Sequence, residues 1–349
     1  MCGKILIVNF GYFAKGTTMN ISMQYFLVVA EELSISRAAE RLYVSQQCVS
    51  SHIKKLEQQY CVELFVRKPA FCLTEEGKAL QRSLLRQKVL ESSLAKEMNE
   101  IRGQRTNRVR AGIHNTRAGL LLPLVIRQFQ KSFPNVVVEV YQGSTNEFET
   151  MLLNGNLDIF IATDTMERPE FRCLFLRKEH NYLVSTVSLL ERLGMGSVAV
   201  SHKIEAVQLT RLPFISSLSG SYLQTKIDSW MDERRITIQK NIVVGTYRTQ
   251  LLLAAQNAGV CFCPQMLFPL IADLNRNASG KDHLVPITVE GLDIPTELSV
   301  IVHRDAYQSE ILSAFSASLK QAISTALGAD VATWSLTRIE ESKTDPVDT

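Results

Sequence analysis

The stretch from Ile35 to Leu56 constrains this chain most. It reads Ile-Ser-Arg-Ala-Ala-Glu-Arg-Leu-Tyr-Val-Ser-Gln-Gln-Cys-Val-Ser-Ser-His-Ile-Lys-Lys-Leu and carries two short helical patterns with a break between them. Ala39 and Leu42 share one face of the first. Val49, Ile53 and Leu56 follow the i, i+4, i+7 rule on the second. Val44-Ser45 falls between them as turn and cap. Two short helices joined this way share a small apolar seam and leave the outer face of the second polar, which is what a helix-turn-helix requires. That outer face holds Gln46, Gln47, Ser50, Ser51 and Lys54. Amide, hydroxyl and ammonium groups are the ones that reach base edges and phosphates in a major groove. An ordinary helical hairpin with a solvated face would show the same window.

Charge distribution favours the first alternative. The whole chain of 349 residues carries only +3. Residues 1–110 hold 17 Lys and Arg against 10 Glu and no Asp, or +7, and the remainder is −4. A basic N-terminal part on an acidic C-terminal part implies that the former meets a polyanion. No apolar run approaches the ~20 residues of a membrane span, and Ile5–Phe13 lacks the length and cleavage site of a secretory signal. The expected location is the cytoplasm, with no membrane partner. The seven cysteines form no Cys-x-x-Cys pair, so a zinc site is not expected; the six histidines are scattered without metal spacing and no Gly-rich phosphate loop appears, so no cofactor is expected either. Cys261-Phe-Cys263 reads as two small buried hydrophobes in a strand.

Taken in order, residues 1–18 do not continue into the helical pattern and read as an N-terminal extension, with Met19 as a candidate functional start; Lys4–Phe10 also reads as a strand. A first helix over Ile21–Leu33 presents Met23, Phe26, Leu27 and Ala30 on one face. Ser34 or Ser36 can cap the next, and the second helix of the pair runs from about Ser45 to Tyr60. Leu64–Val66 and Phe71–Leu73 flank Lys68-Pro69-Ala70, which predicts a β-hairpin, the wing of a winged helix-turn-helix over 19–77. Arg67 and Lys68 would lie against the phosphate backbone. Thr74 caps a helix that should run to about Arg102, where Gly103 stops it, giving a linker helix over 75–103. Its Leu80, Leu84, Leu94, Met98 and Ile101 make a broken apolar seam that needs a partner, and a second copy is the simplest one. A dimer would place two recognition helices on successive turns of one DNA face. Gly103–Arg108 is a polar linker.

From Val109 the texture changes. Val109–Ile113, Val136–Tyr141 and Leu157–Ala162 read as strands, with helices over Leu120–Phe133 and across Phe148–Leu153. The pattern recurs: strands at Pro213–Ile215, Ile236–Val244 and Val260–Cys263, helices at Tyr222–Glu233 and Thr249–Ala258. Alternation at this spacing predicts β-α-β units on a largely parallel sheet. Glu297–His303 and the helix Ser309–Leu327 return to the first lobe. Two such lobes over 108–328 leave a cleft at their sheet ends. Residues 329–349 read as a disordered tail.

Residues 21–77 resemble the DNA-binding domain of LysR-type transcriptional regulators. The resemblance is carried by Phe26-Leu-Val-Val-Ala-Glu-Glu-Leu-Ser34, Arg37-Ala-Ala-Glu-Arg-Leu-Tyr-Val-Ser-Gln46, Ser50, Ile53-Lys-Lys-Leu-Glu57, Leu64-Phe-Val-Arg67 and Leu73-Thr-Glu-Glu-Gly77. More loosely, Leu122-Pro123, Phe129, Phe133-Pro-Asn-Val136, Gly155-Asn-Leu-Asp158 and Ala258-Gly-Val260 with Pro264 follow the order of the family's effector domain. The resemblance implies a winged helix-turn-helix, a linker helix and a two-lobed α/β effector domain like a periplasmic binding protein. It implies a one-component regulator of promoter DNA, active as a dimer of dimers (a homotetramer), that responds to a small molecule in the cleft, with RNA polymerase as a further partner. The implied DNA contacts are Gln46, Gln47, Ser50, Ser51 and Arg67, with Arg37, Ser45, Lys54 and Lys68 completing the candidate face. Gln47 stands where the family usually has Pro or Ser, and Ser51 where it often has Arg; Ser51 cannot grip guanine bidentately.

The family's effector contacts carry over to Thr116, Ser144 and Thr145 in the first lobe, and to Ser216, Ser217, Tyr247 and Arg248 in the second. Hydroxyls beside helix N-termini suit a carboxylate or similar anion. Arg248 would strengthen that site and Arg117 could, although a solvated surface position suits both arginines better on residue type alone. Ser216, Ser217 and Thr145 read equally well as helix caps. Two other classes of function fit less well. Ser51-His-Ile-Lys54 fits the Ser-x-x-Lys of penicillin-binding enzymes, but it lies on the recognition helix and lacks the partner motifs, so no catalytic residue and no enzyme activity is expected. A redox-sensing regulator would need Cys261 and Cys263 to bridge. Side chains two apart in a strand point the same way and rarely do so without strain.

Overall fold

Four side-chain caps place the N-terminal helices. The Asn20 side chain accepts from the Met23 N–H at 3.0 Å, Ser34 from Arg37 at 3.3 Å, Ser45 from Cys48 at 3.2 Å and Thr74 from Gly77 at 2.9 Å. They start α1 (Ile21–Glu32), α2 (Ile35–Leu42), α3 (Gln46–Tyr60) and, after the hairpin β1 (Phe65–Val66) and β2 (Cys72–Leu73), α4 (Glu75–Ile101). Leu33, Tyr43 and Cys61 take left-handed backbone at the ends of α1, α2 and α3, which turns the chain sharply without glycine. Phe26, Val29, Ala38, Ala39, Val49, Ile53, Leu56, Leu64 and Leu84 form the core of this region.

The computed structural model describes residues 19–103, 108–165, 167–218 and 222–328. The expected N-terminal extension 1–18, linker residues 104–107 and the expected tail 329–349 lie outside the described residues. The described chain divides into two compact units. Unit 1 holds residues up to Gly103 together with Glu149–Asp158 and His303–Ser309; unit 2 holds the rest.

Unit 2 has two lobes. The first is built from β3 (Arg108–Gly112), α5 (Asn115–Ser132), β4 (Val137–Tyr141), the start of α6 (Thr145–Leu153), β5 (Ile159–Thr163) and β6 (Phe171–Glu179). The second holds β7 (Asn181–Thr186), α7 (Val187–Arg192), α8 (Gly196–Ser201), β8 (Lys203–Ile204), β9 (Pro213–Ser217), α9 (Tyr222–Glu233), β10 (Gln239–Val244), α10 (Tyr247–Ala255), β11 (Cys261–Pro264), α11 (Phe268–Asn275) and β12 (Leu284–Val289). The chain then returns through β13 (Thr296–His303) and α12 (Glu310–Ala326).

The first sheet has the order β4-β3-β5-β13-β6, with α12 packed on α5 through Phe129 and Phe315. β3 runs parallel to β4 and β5; β13 runs antiparallel to β5 because it comes back from the second lobe. The second lobe is less parallel than expected. In its sheet β11-β7-β12-β8, β7 pairs antiparallel with both β11 and β12 and only β8–β12 is parallel, while β9 and β10 form a separate two-stranded parallel sheet. β7 and β12 adjoin the two crossover connections, and neither belongs to a β-α-β unit. A bridge between Phe214 and Val260 joins β9 to β11.

Helix α5 begins at Asn115, five residues before the expected Leu120. Ala118, Leu121, Val125 and Phe129 already form its buried face, so Pro123 falls in the interior, where its ring is exposed on the outer side. Among the described residues no helix is long and apolar enough to cross a membrane, and no group of His, Cys, Asp and Glu could hold a metal ion.

Candidate DNA-binding face and ligand site

The seam of α3 is the three residues its spacing names. Val49 and Leu56 are fully buried and Ile53 nearly so. A helix pinned on that side must turn the residues between them outward. Gln46, Gln47, Ser50, Ser51 and Lys54 are all exposed, as is the cap Ser45. Cys48 is half-buried, and His52 is turned back into unit 1, where its Nδ1 lies 2.8 Å from the Ser22 hydroxyl and its ring packs edge-on to Tyr25.

The hairpin pairs Phe65 with Leu73 and Val66 with Cys72, and Phe65 stacks on Phe71 at 4.9 Å. Those rings anchor the base of the wing and leave Arg67 and Lys68 exposed at its tip. Gly77, in the first turn of α4, lies under the hairpin; a Cβ there would come within 2.1 Å of the Leu64 carbonyl oxygen. Arg37 is a partial exception on this face. Its guanidinium donates to the Glu32 carbonyl and lies 3.5 Å from the Glu32 carboxylate, so it also ties α2 to the end of α1.

In unit 2 the candidate ligand residues fall into three groups. Ser144 is already engaged. Its N–H and its hydroxyl both donate to the Glu147 carboxylate, at 2.7 and 2.9 Å, and its oxygen accepts from the Glu147 N–H at 3.3 Å. This is a capping box, and those donors hold the Glu147 carboxyl below its ordinary value. Thr145 is the half-buried first residue of α6. Ser217 is engaged too: its oxygen accepts from the buried Gln250 amide at 2.8 Å and its N–H donates to Gln224 at 3.1 Å. Tyr247 is half-buried against the second lobe's core, and Arg248 is exposed.

Ser216 differs from both. It is 3% exposed and its Oγ has no hydrogen-bond partner among the described residues. Thr116, half-buried, occupies the first turn of α5, whose N-cap His114 makes no side-chain cap bond. Desolvation, and then the Arg117 charge, push the His114 pKa down from its ordinary value.

Arg117 is not a solvated surface residue. Its guanidinium makes a two-pronged pair with Glu179, at 2.9 and 3.3 Å, and Glu179 is fully buried. The same carboxylate accepts from the Met266 N–H at 2.9 Å. Glu179 ends β6 at the crossover, so one buried charge ties α5 of the first lobe to the chain after β11 of the second. A second tie crosses the lobes where Lys226 on α9 lies 3.4 Å from Asp164 at the end of β5. Sequence reasoning did not single out Glu179 or Gln250. A lone Glu in the basic run Arg177-Lys178-Glu179-His180 gives no local sign of burial. Cys261 and Cys263 are buried; desolvation pushes the Cys261 thiol up to about 12 and the Cys263 thiol well above its ordinary value. A neutral thiol is neither a nucleophile nor a metal ligand.

A winged helix-turn-helix in the same chain as a two-lobed α/β domain defines a ligand-responsive transcriptional regulator. Comparison with known proteins agrees. The family model of the LysR substrate binding domain matches residues 102–324, and that of the bacterial regulatory helix-turn-helix protein, lysR family, matches residues 22–78. The HTH-type transcriptional regulator cbl of Klebsiella aerogenes is 32% identical over 228 residues, covering 62% of this chain and 69% of that protein. The HTH-type transcriptional regulator SsuR of Burkholderia cenocepacia is 33% identical over 154 residues, 43% of this chain; the match spans half of SsuR's length, 50%. A full-length OxyR variant from Pseudomonas aeruginosa superposes with a TM-score of 0.56 at 17% identity, covering 87% of this chain and 95% of that one, a likeness of fold alone. The chain belongs to the LysR family of transcriptional regulators, with a helix-turn-helix DNA-binding domain and an effector-binding domain.

Proposed function

We propose that this chain binds double-stranded promoter DNA as a dimer, assembled further into a dimer of dimers. A small molecule held by unit 2 then changes its effect on transcription, with RNA polymerase as a further contact. It works in the cytoplasm, where that DNA is, and catalyses no reaction. One observation carries the reading: α3 buries Val49, Ile53 and Leu56 and turns Gln46, Gln47, Ser50, Ser51 and Lys54 to the outside. Arg67 and Lys68 flank that face as backbone-contacting cations, and Ser45 and Arg37 border it. The working division is a winged helix-turn-helix to residue 77, the linker helix α4, and an effector domain from Arg108 to Gly328.

The effector reading rests on Ser216, whose buried hydroxyl lacks a partner among the described residues, and on the α5 N-terminus at Thr116, which lacks a side-chain cap. A hydrogen-bonding group of a ligand, an acceptor such as a carboxylate in the case of the helix N-terminus, suits each of them. Ser144, Thr145, Ser217, Tyr247 and Arg248 would then shape the site rather than hold its charge. The test is a mobility shift with DNA from beside the protein's own gene. Arg67→Ala is expected to weaken binding to all sequences, and Gln46→Ala to relax discrimination between them. Unchanged binding by both variants would place the DNA face elsewhere.

A further inference from the structure

Strand β6 lies at the edge of the first lobe's sheet, beside β13 and with no strand on its other side among the described residues. Its nine residues make it about 30 Å long, and an open edge of that length offers unpaired N–H and C=O groups to another strand. Its polar side chains are basic wherever they reach solvent. Arg177 and Lys178 are exposed and Arg172 is half-buried, while the one acid of the strand, Glu179, is buried against Arg117. Among the described residues the side chains of Arg172, Arg177 and Lys178 form no ion pair, and the Arg172 Nε is buried without a hydrogen-bond partner. Leu176, between these cations, is 51% exposed. Cations on an edge deter ordinary strands. That role does not explain Arg172, because a buried unpaired donor costs free energy that a solvated cation does not. The edge suits an anionic segment of extended backbone.

The chain itself supplies one. Helix α12 ends beside the end of β6. The Leu327 carbonyl accepts from the Gln265 side-chain amide at 3.2 Å, and the Gln265 N–H donates at 2.9 Å to the carbonyl of His180, the residue after β6. From this root the 21 residues 329–349 follow. They hold Asp330, Glu340, Glu341, Asp345 and Asp348 against Arg338 and Lys343, or 2 − 5 = −3. Glu340 and Asp345 are five residues apart, and so, in reverse order, are Arg177 and Arg172. An antiparallel alignment therefore sets Glu340 across from Arg177 and Asp345 across from Arg172. The 11 residues from Ala329 to Ile339 can bridge at most about 36 Å between root and edge.

We propose that residues 340–345 dock along the outer edge of β6 in their own chain, with their carboxylates on Arg172, Arg177 and Lys178. The docked segment covers an edge that would otherwise be open to a second chain. Ion pairs at such a surface are individually weak and screened by salt, so the contact is reversible and fades as ionic strength rises.

The test uses the full-length chain at low salt and needs no DNA or effector, so its outcome is independent of the proposed function. A zero-length carbodiimide is expected to couple the Lys178 amine to Glu340 or Glu341, read by mass spectrometry of the peptides. In a mixture of isotopically heavy and light chains, the coupled peptides are expected to come from one copy. Amide hydrogen exchange across Arg172–Lys178 is expected to be faster by about threefold or more in a Glu340→Lys/Glu341→Lys chain. Arg177→Glu alone is expected to do the same, and Arg177→Glu combined with Glu340→Lys to restore slow exchange. These positions are exposed or lie outside the packed lobes, so the variants are expected to melt with the wild type. Exchange indifferent to the single reversals overturns the inference, as does a combined variant no slower than Arg177→Glu. Coupling of the acidic segment to Lys54, Lys55 or Lys68 instead of Lys178 places it on the DNA-binding face and overturns it too. So does coupling found solely between a heavy and a light copy.

Discussion

The helix-turn-helix and the two-lobed unit hold their polar groups in opposite ways. On α3 the amides, hydroxyls and ammonium face outward, into solvent. In unit 2 three of the groups that suit a ligand are already spoken for: Ser144 by Glu147, Ser217 by Gln250 and Gln224, Arg117 by Glu179. A DNA-binding face is convex and centred on one helix, so its donors must stay solvated until a rigid polyanion arrives. A ligand site is concave and made of several turns. Polar groups gathered there must satisfy one another or wait for the ligand, because buried unpaired groups cost free energy. The difference predicts where substitutions are felt as stability and where they are felt only as binding.

The largest effect is expected at the Arg117–Glu179 pair. Arg117→Met leaves the Glu179 carboxylate buried with only the Met266 N–H as a donor from this set, and breaking a buried pair on one side costs about 3–5 kcal/mol. Hydrogen exchange should accelerate across Ala118–Phe129 and not across α3. Equal protection in wild type and variant would mean that this carboxylate is not held as a charge, and the contrast between the two regions would lose its clearest case. A smaller effect is expected at Gly77. Gly77→Ala forces a Cβ against the Leu64 carbonyl, a backbone atom that cannot swing away, and overpacking of this kind costs about 1–3 kcal/mol. The wing should shift with it, so urea unfolding and DNA affinity should both weaken. If only stability falls, the wing does not depend on the Gly77 contact for its position.

How far each region could be read from the sequence follows the same line. For α3, Val49, Ile53 and Leu56 are sequence neighbours on one face, and local periodicity alone decides which side is buried. Ser45 and Thr74 likewise act within three residues, and both cap as their positions implied. In unit 2 the decisive partners are far apart. Arg117 and Glu179 are separated by 62 residues, and Met266 lies 87 beyond Glu179. Nothing local marks Glu179 as the one acid of a basic run that turns inward, so Arg117 reads as a solvated cation. The β-α-β alternation of the first lobe was legible because each strand and its helix are adjacent. The antiparallel pairing of β7 with β11 and β12 was not, since it is set by crossovers that close only in three dimensions. Ser144 shows the intermediate case: Ser-Thr-Asn-Glu is a legible capping box, but helix caps and anion sites call for the same residues.

The smallest expected change in stability is at Ser216, and it separates a structural hydroxyl from a ligand-binding one. A buried hydroxyl that bonds its own protein costs about 1–3 kcal/mol when its partner is left unpaired. Ser216 Oγ has no such partner among the described residues, so Ser216→Ala should leave the ligand-free chain as stable as wild type, or slightly more stable, by thermal melting. Ser217→Ala provides the control, because it strands the Gln250 amide, which is 2% exposed in a chain that otherwise satisfies it. It should therefore destabilise the chain where its neighbour does not. The two residues are adjacent in β9 and differ only in which side of the strand they occupy, so the contrast isolates partner satisfaction from secondary structure. A Ser216→Ala chain that melts well below wild type would show that the hydroxyl supports the fold, and the ligand reading of this strand end would fall with it.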